Sequence, residues 1–246
     1  MDEATRPFWL SAFLDLPAEA FDAATAFWAS VTGYPLSPLR GDDLEFGTLV
    51  PPAGDDYLRV QRVGSSARIH LDVHVTDPAQ AARRALRLGA TLLADRGYQV
   101  LSSPSGFVFC LVNHTAGVRP HAARWPGGHL SRVDQVALDL PRDVHDSESD
   151  FWAELLGEAA RPLSGDEFSA VDRRPELPLR LLLHRLDEPT GATRAHLDLA
   201  TDDVAAEVDR HLVLGAEHVR DHDGWTVLRD PAGLLYCVTG RDPAPG

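Results

Sequence analysis

The chain has 246 residues, 44% of them hydrophobic, with a formal net charge of −14. That is enough apolar material for two ordinary cores and too much for a disordered chain. The acidity, with no Lys/Arg-rich run, argues against nucleic acid or an anionic membrane surface as a partner; the polar start and the short apolar stretches predict neither a signal peptide nor a membrane span, so a cytoplasmic location is expected.

Residues 10–16 alternate around Phe13 and Leu14 and stop at Pro17, the pattern of a strand. Residues 18–31 predict a helix, because Phe21, Ala24, Trp28 and Val31 share one stripe and Gly33 follows where helices commonly end. Short strands are expected near 44–50 and 57–63, split by a turn containing Pro51, Pro52 and Gly54. Residues 68–75 alternate strictly, with Arg68, His70, Asp72 and His74 on one face and Ile69, Leu71, Val73 and Val75 on the other. A second helix is expected over 78–88, with Asp77 as N-cap and Pro78 as first helical residue, and short strands follow near 91–95, 98–102 and 107–112.

The same order then recurs. Phe151 and Trp152 repeat Phe27 and Trp28 at an offset of 124 (151 − 27), and His196 repeats His70 at an offset of 126 (196 − 70). Gly215 repeats Gly89, and Cys237 repeats Cys110 at an offset of 127 (237 − 110). Matching blocks in one order at a nearly constant offset mark a tandem duplication of a domain-sized unit. The second copy predicts helices near 143–156 and 202–213, the latter opening on Asp202 and Asp203 as capping residues. Boundaries follow: residues 1–115 as the first domain, 116–130 as a Pro- and Gly-bearing linker in which Trp125 suggests local packing, and 131–242 as the second domain. Each cysteine stands alone in its copy, which predicts two buried thiols and no disulfide framework.

Within each copy the order is two βαβββ halves, an α+β arrangement able to form a curved mixed sheet around a cleft. Several short stretches carry a resemblance: Val136 to Pro141, Phe151 and Trp152 with Gly157, His196 to Leu199, Leu214 to Ala216, and Asp230 to Val238. In this order, and twice, they resemble the vicinal oxygen chelate superfamily, in particular its glyoxalase-like and bleomycin-resistance-like bacterial members. The resemblance covers nearly the whole chain and implies two tandem glyoxalase-like domains packed with pseudo-two-fold symmetry. In that superfamily a metal is held by a His or Gln on the first strand, a His on the fifth and a Glu on the eighth, leaving positions for a substrate with two neighbouring oxygens. Carried over, the second copy offers Gln135, His196 and Cys237 and the first offers Ser11, His70 and Cys110. Cysteine replaces glutamate in both, which points away from a hard metal and towards zinc as the divalent ion, and Ser11 is a poor ligand.

His196 is the leading catalytic candidate with Asp198 beside it as support; Gln135, His184, Arg194 and Trp225 are expected to bind substrate, as are His70 and Asp72 in the first copy. Two readings of the alternating Arg, His and Asp face stand side by side: a polar cleft, or a closed Arg–Asp ion pair with a structural histidine. Cys110 and Cys237 read either as small buried hydrophobes or as thiolates supported by a cation such as Arg194. His184 faces a cleft or sits at an edge, Trp225 walls a cleft or joins the core, and His218 and His222 read as solvated loop residues. The resemblance implies a protein acting on or binding a small oxygen-rich metabolite, with a lyase or isomerase step if it is an enzyme. The alternative is a metal-free drug-sequestering binder. The expected partners are a small-molecule ligand and, as a monomer or homodimer, only further copies of the chain.

Overall fold

The computed structural model describes residues 2–163 and 165–243. The first copy contains β1 (Trp9–Pro17), α1 (Phe21–Thr32), β2 (Phe46–Leu49), β3 (Leu58–Val63), β4 (Arg68–His74), α2 (Pro78–Arg87), β5 (Thr91–Asp95), β6 (Gln99–Ser102) and β7 (Val108–Val112). A short β8 (Ala123–Arg124) interrupts the expected linker by pairing with the start of β9. The second copy contains β9 (Leu130–Leu140), α3 (Arg142–Leu156), β10 (Ala160–Pro162), β11 (Phe168–Val171), β12 (Arg180–Arg185), β13 (Arg194–Thr201), α4 (Val204–Val213), β14 (Glu217–His222), β15 (Trp225–Arg229) and β16 (Leu235–Thr239). Among the described residues the strands form two mixed sheets, ordered β2-β3-β1-β4-β7-β6-β5 and β10-β11-β12-β9-β13-β16-β15-β14. No helix among them is long and apolar enough to cross a membrane.

The helix signals act where the sequence places them. Asp77 and Asp203 are N-caps, accepting from Gln80 N at 2.9 Å and Ala206 N at 3.0 Å. Gly33 and Gly157 close α1 and α3 in the left-handed region, at φ 72° and 71°. Trp28 and Trp152 are fully buried, as a helical apolar stripe requires. One local reading changes: His218 and His222 lie on a strand, β14, whose residues are all exposed. An exposed strand with a bulge between His218 and Arg220 carries no apolar alternation, so nothing in its sequence distinguishes it from a loop.

Spatial proximity divides the chain into two compact units. One takes the chain up to Ala12, His70–Gly117 and Val136–Ala195; the other takes Phe13–Ile69, Val118–Gln135 and the chain from His196 onward. Each unit thus joins the second half of one copy to the first half of the other. Within the first unit, Phe109 of β7 packs edge-on against Trp152 of α3 at 5.2 Å, and Arg84 of α2 donates to Leu155 O at 2.9 Å and to Glu154 O. Within the second, Tyr236 of β16 packs against Trp28 of α1 at 5.1 Å, and Arg210 of α4 donates to Ser30 O at 3.1 Å and Val31 O at 2.8 Å. The last carbonyls of a helix have no partner within it and carry the negative end of its dipole. An arginine from a second helix satisfies both needs, and the duplication has preserved that device in each unit.

The buried tryptophan indoles find different acceptors. Trp28 Nε1 donates to Asp230 Oδ2 at 2.8 Å, and Trp152 Nε1 donates to Glu148 Oε1 at 3.0 Å on its own helix. Asp230 Oδ1 also accepts from Ala232 N and Leu234 N, so the Asp230 to Gly233 stretch of the resemblance is a turn closed by its own aspartate.

Candidate metal centre

In a strand, residues two apart point the same way, and a neighbouring strand brings a third side chain to the same face about 4.8 Å away. Both duplicated strands use this rule. On β13, His196 and Asp198 share a face, and the parallel neighbour β16 sets Cys237 opposite Asp198. One donor atom each of His196, Asp198 and Cys237 falls within 4.8 Å of the others. His196 Nε2 stands 3.3 Å from Asp198 Oδ1, and Gln135 on β9 donates its amide nitrogen to Asp198 Oδ2. Asp198 and Cys237 are buried, while the His196 side chain keeps 15% of its surface exposed.

On β4 and β7 the same arrangement recurs. His70 and Asp72 share a face, Cys110 lies opposite Asp72, and one donor atom from each again falls within 4.8 Å of the others. Here all three residues are buried, and His70 Nε2 stands 3.9 Å from Asp72 Oδ1. Ser11, at the position of Gln135, turns its hydroxyl to His74 Nε2 at 2.8 Å. His74 Nδ1 lies 2.9 Å from His114 O. A carbonyl only accepts, so Nδ1 carries a ring proton.

The electrostatics of the β13 cluster are those of a confined charge pair. Burial pushes the Asp198 carboxyl up, but the His196 charge and hydrogen bond, Arg241 and the Gln135 amide outweigh it and hold it below the usual carboxylate value. Burial pushes the Cys237 thiol up, and His196 offsets part of that rise. Asp198 Oδ1 is buried and has His196 Nε2 as its neighbour at 3.3 Å. A cation of charge two held among these donors would turn the thiol into a thiolate.

The donor set fits a borderline metal. Tetrahedral bonds of about 2.0–2.1 Å to nitrogen and oxygen place those two atoms about 3.3–3.4 Å apart, and zinc accepts imidazole, carboxylate and thiolate together. The 3.3 Å edge between His196 and Asp198 matches that spacing. An all-oxygen site for a hard ion is not what these side chains offer.

A family model described as a glyoxalase-like domain matches residues 11–112 and again residues 135–239. The chain belongs to the glyoxalase-like domain family. It carries two tandem glyoxalase-like domains, as the duplicated strands and helices indicated. No curated protein matches this glyoxalase-like chain in sequence. Solved structures share its fold at low identity. A 4-hydroxymandelate synthase variant from Streptomyces coelicolor has a TM-score of 0.66 at 16% identity, over 98% of this chain and 94% of that one. A Mn(II)-bound glyoxalase from Novosphingobium aromaticivorans has a TM-score of 0.64 at 19% identity, over 98% and 83%. The 2,2',3-trihydroxybiphenyl 1,2-dioxygenase from Sphingomonas wittichii has a TM-score of 0.58 at 14% identity, over 98% and 92%.

The structure gathers Gln135, His196, Asp198 and Cys237 into one cluster, and His70 with Asp72 and Cys110 into another. The remaining candidates have other engagements. His184 on β12 bonds Asp139 Oδ1 at 2.7 Å and Glu167 Oε1 at 3.2 Å, and stacks on Phe168 at 4.7 Å. Arg194 is largely exposed, 3.8 Å from Glu188. Trp225 on β15 is half-buried and stacks on His222 at 4.4 Å, nearly parallel. Arg68, on the polar face of β4, pairs with the buried Asp15 at 2.8 Å. The sequence analysis sets Asp198 beside His196 as support; in the structure its carboxylate also lies within 4.8 Å of the Cys237 thiol. The signal was present as the two-residue spacing on a strand, but only the register with β16 shows that the carboxylate and the thiol face the same point.

A second buried cluster escaped the sequence reading. Glu207 on α4 is fully buried and accepts from His129 Nε2 at 2.8 Å, Ser131 Oγ at 2.5 Å, Arg210 Nη2 at 2.7 Å and His211 Nε2 at 3.0 Å. Arg210 also lies over the Trp125 ring at 3.5 Å, which is the packing that Trp125 foreshadowed. The positions matching Glu207 and His211 in the first copy are Ala81 and Ala85, so no repeat signal marked this network.

Proposed function

We propose that this glyoxalase-like protein is an enzyme whose second copy holds a divalent metal, zinc by the character of its donors, and acts on a small oxygen-rich metabolite in a lyase or isomerase step. The observation that carries the reading is the convergence of one donor atom each from His196, Asp198 and Cys237 on one point, with Asp198 and Cys237 buried. Bound there, the ion would act as a Lewis acid towards an oxygen of the substrate. His196 is the donor with solvent exposure, so it marks the side from which a small molecule reaches the cluster. Gln135 fixes the second oxygen of Asp198 and so sets which oxygen faces the donors. The Mn(II)-bound state of one structural neighbour supports a divalent ion in this fold, and the thiolate donor of this chain favours zinc.

The rival is a metal-free binder of the drug-sequestering kind. A cationic drug stacking on Trp225 is disfavoured, because His222 already covers one ring face at 4.4 Å. Elemental analysis of protein purified without chelator decides between the two. The enzyme reading expects near-stoichiometric zinc, lost together with turnover in His196→Ala. Metal-free protein that still binds small molecules would refute it.

A further inference from the structure

We infer that the second compact unit carries a buried binding site for a small monocarboxylate, built on the guanidinium of Arg132 at the start of β9. The inference does not depend on the metal reading above. Arg132 is 4% exposed, and its Nη1 donates to Pro120 O at 3.1 Å. Its Nε and Nη2 are also buried, and among the described residues neither has a hydrogen-bond partner. These two N–H groups form one edge of the planar fork, which takes the two oxygens of a carboxylate in parallel. An arginine side chain cannot shed its charge, so its burial leaves a full cation in need of a countercharge. The polar groups that feel this charge do not supply one. Tyr34 and Tyr57 are buried, and burial raises both hydroxyls, so they stay neutral phenols. Tyr57 donates its proton to Val133 O at 2.7 Å. Asp134, two residues along β9, holds Arg241 through both oxygens, at 2.6 and 3.0 Å.

The surroundings select the ligand. One guanidinium beside neutral tyrosines balances one negative charge, which favours a monoanion over a phosphate dianion. Two parallel donors favour a planar carboxylate over a halide. Tyr57 is fully buried and Tyr34 nearly so, which restricts the ligand to the smallest acids, formate and acetate. A strap of surface chain gives such an ion its way in. Val118 is 63% exposed, and the strap is clipped to a turn: Asp55 N donates to Val118 O at 2.7 Å, and Val118 N donates to Asp55 Oδ2 at 2.8 Å. Gly54 in that turn sits at φ 88°, where a Cβ would come within 2.8 Å of Val118 O and 2.9 Å of Pro120. The strap runs on to Pro120, whose carbonyl holds Arg132, so parting the clip frees the chain that lies against the guanidinium.

The test is uptake of isotope-labelled formate by the full chain after exchange into chloride buffer, read by NMR and by urea midpoints at constant ionic strength. Wild type should bind one formate per chain saturably and gain stability as it does so. Arg132→Gln should lose both effects. Arg132→Lys, which keeps the charge without the fork, should bind about 10–100-fold more weakly through the loss of one charge-assisted hydrogen bond. If Arg132→Gln does not fold, the weakening in Arg132→Lys carries the test. Wild type that takes up no formate, or that responds equally to chloride, overturns the inference. Uptake that persists in Arg132→Gln and disappears in His196→Ala places the ion on the donors of β13 and β16, which overturns this inference and leaves the proposed function standing. Uptake lost in Arg132→Gln from a protein that holds no zinc supports this inference and overturns the proposed function.

Discussion

Replacing Arg210 by methionine should destabilise the protein far more than the same change at Arg84, its partner in the duplication. Both arginines donate to the last carbonyls of a helix, α1 for Arg210 and α3 for Arg84. Losing that cap exposes carbonyls that water can partly satisfy, which costs about 1–2 kcal/mol. Arg210 does more: its Nε and Nη2 reach Glu207 at 2.9 and 2.7 Å, and its guanidinium carbon lies 3.5 Å from the centre of the Trp125 ring. Removing one member of a buried ion pair costs about 3–5 kcal/mol. The lower end applies here, because the Arg210 side chain keeps 16% exposure and His129, Ser131 and His211 remain bound to Glu207. Arg210→Met should therefore lie about 2–3 kcal/mol below Arg84→Met. With a urea dependence of about 2–3 kcal/mol per molar, the two unfolding midpoints should differ by about 1 M. Tryptophan fluorescence reports the transition, and Trp125 responds directly to loss of the guanidinium. Equal midpoints for the two variants would show that Glu207 does not depend on Arg210 and would refute the energetic reading of this network.

Acidification should unfold the second unit through the same network. Burial alone raises the Glu207 carboxyl, but bonds from His211, Arg210 and Ser131 hold it well below its ordinary value, so the stability it confers is complete above the unfolded carboxylate pKa and is lost as pH falls towards the depressed folded one. Burial lowers the His211 pKa, so protons bind the unfolded chain first and stability also declines as pH falls below about 6.5. Glu207→Gln should flatten the acid limb of a pH series of urea midpoints; an unchanged slope below pH 5 would count against the assignment. Gln135→Met should weaken metal binding in the second copy about 10–100-fold without moving the ligands, measurable by chelator competition. Asp230→Ala strips the acceptor from the buried Trp28 indole and two turn amides, and should cost about 2–4 kcal/mol in thermal or urea unfolding while leaving the metal stoichiometry intact.

The helices, their caps and most strands could be read directly, because each depends on near neighbours: Asp77 on Gln80, Gly33 on the turn before it, Trp28 on residues three and four away. β14 could not be read, since all its residues face solvent and its amphipathic signal is absent. Within the candidate site, His196, Asp198 and Gln135 were identifiable, and the thiol of Cys237 was seen as a departure from the family pattern. That the Asp198 carboxylate faces the thiol was not, because it depends on strand register between positions 39 apart in the chain (237 − 198).

The duplicated sequence by itself determined the element order, the tandem repeat of a glyoxalase-like unit and the face on which His70, Asp72, His196 and Asp198 stand. A period of two along a strand is a property of the local backbone, and a tandem repeat needs no coordinates to be seen. Only the tertiary structure decided which half of each copy shares a compact unit with which half of the other, where Trp28 finds Asp230, and that a thiol and a carboxylate meet across β13 and β16. Those outcomes follow from packing and hydrogen-bond satisfaction between segments far apart in the chain, which no local pattern of residues encodes.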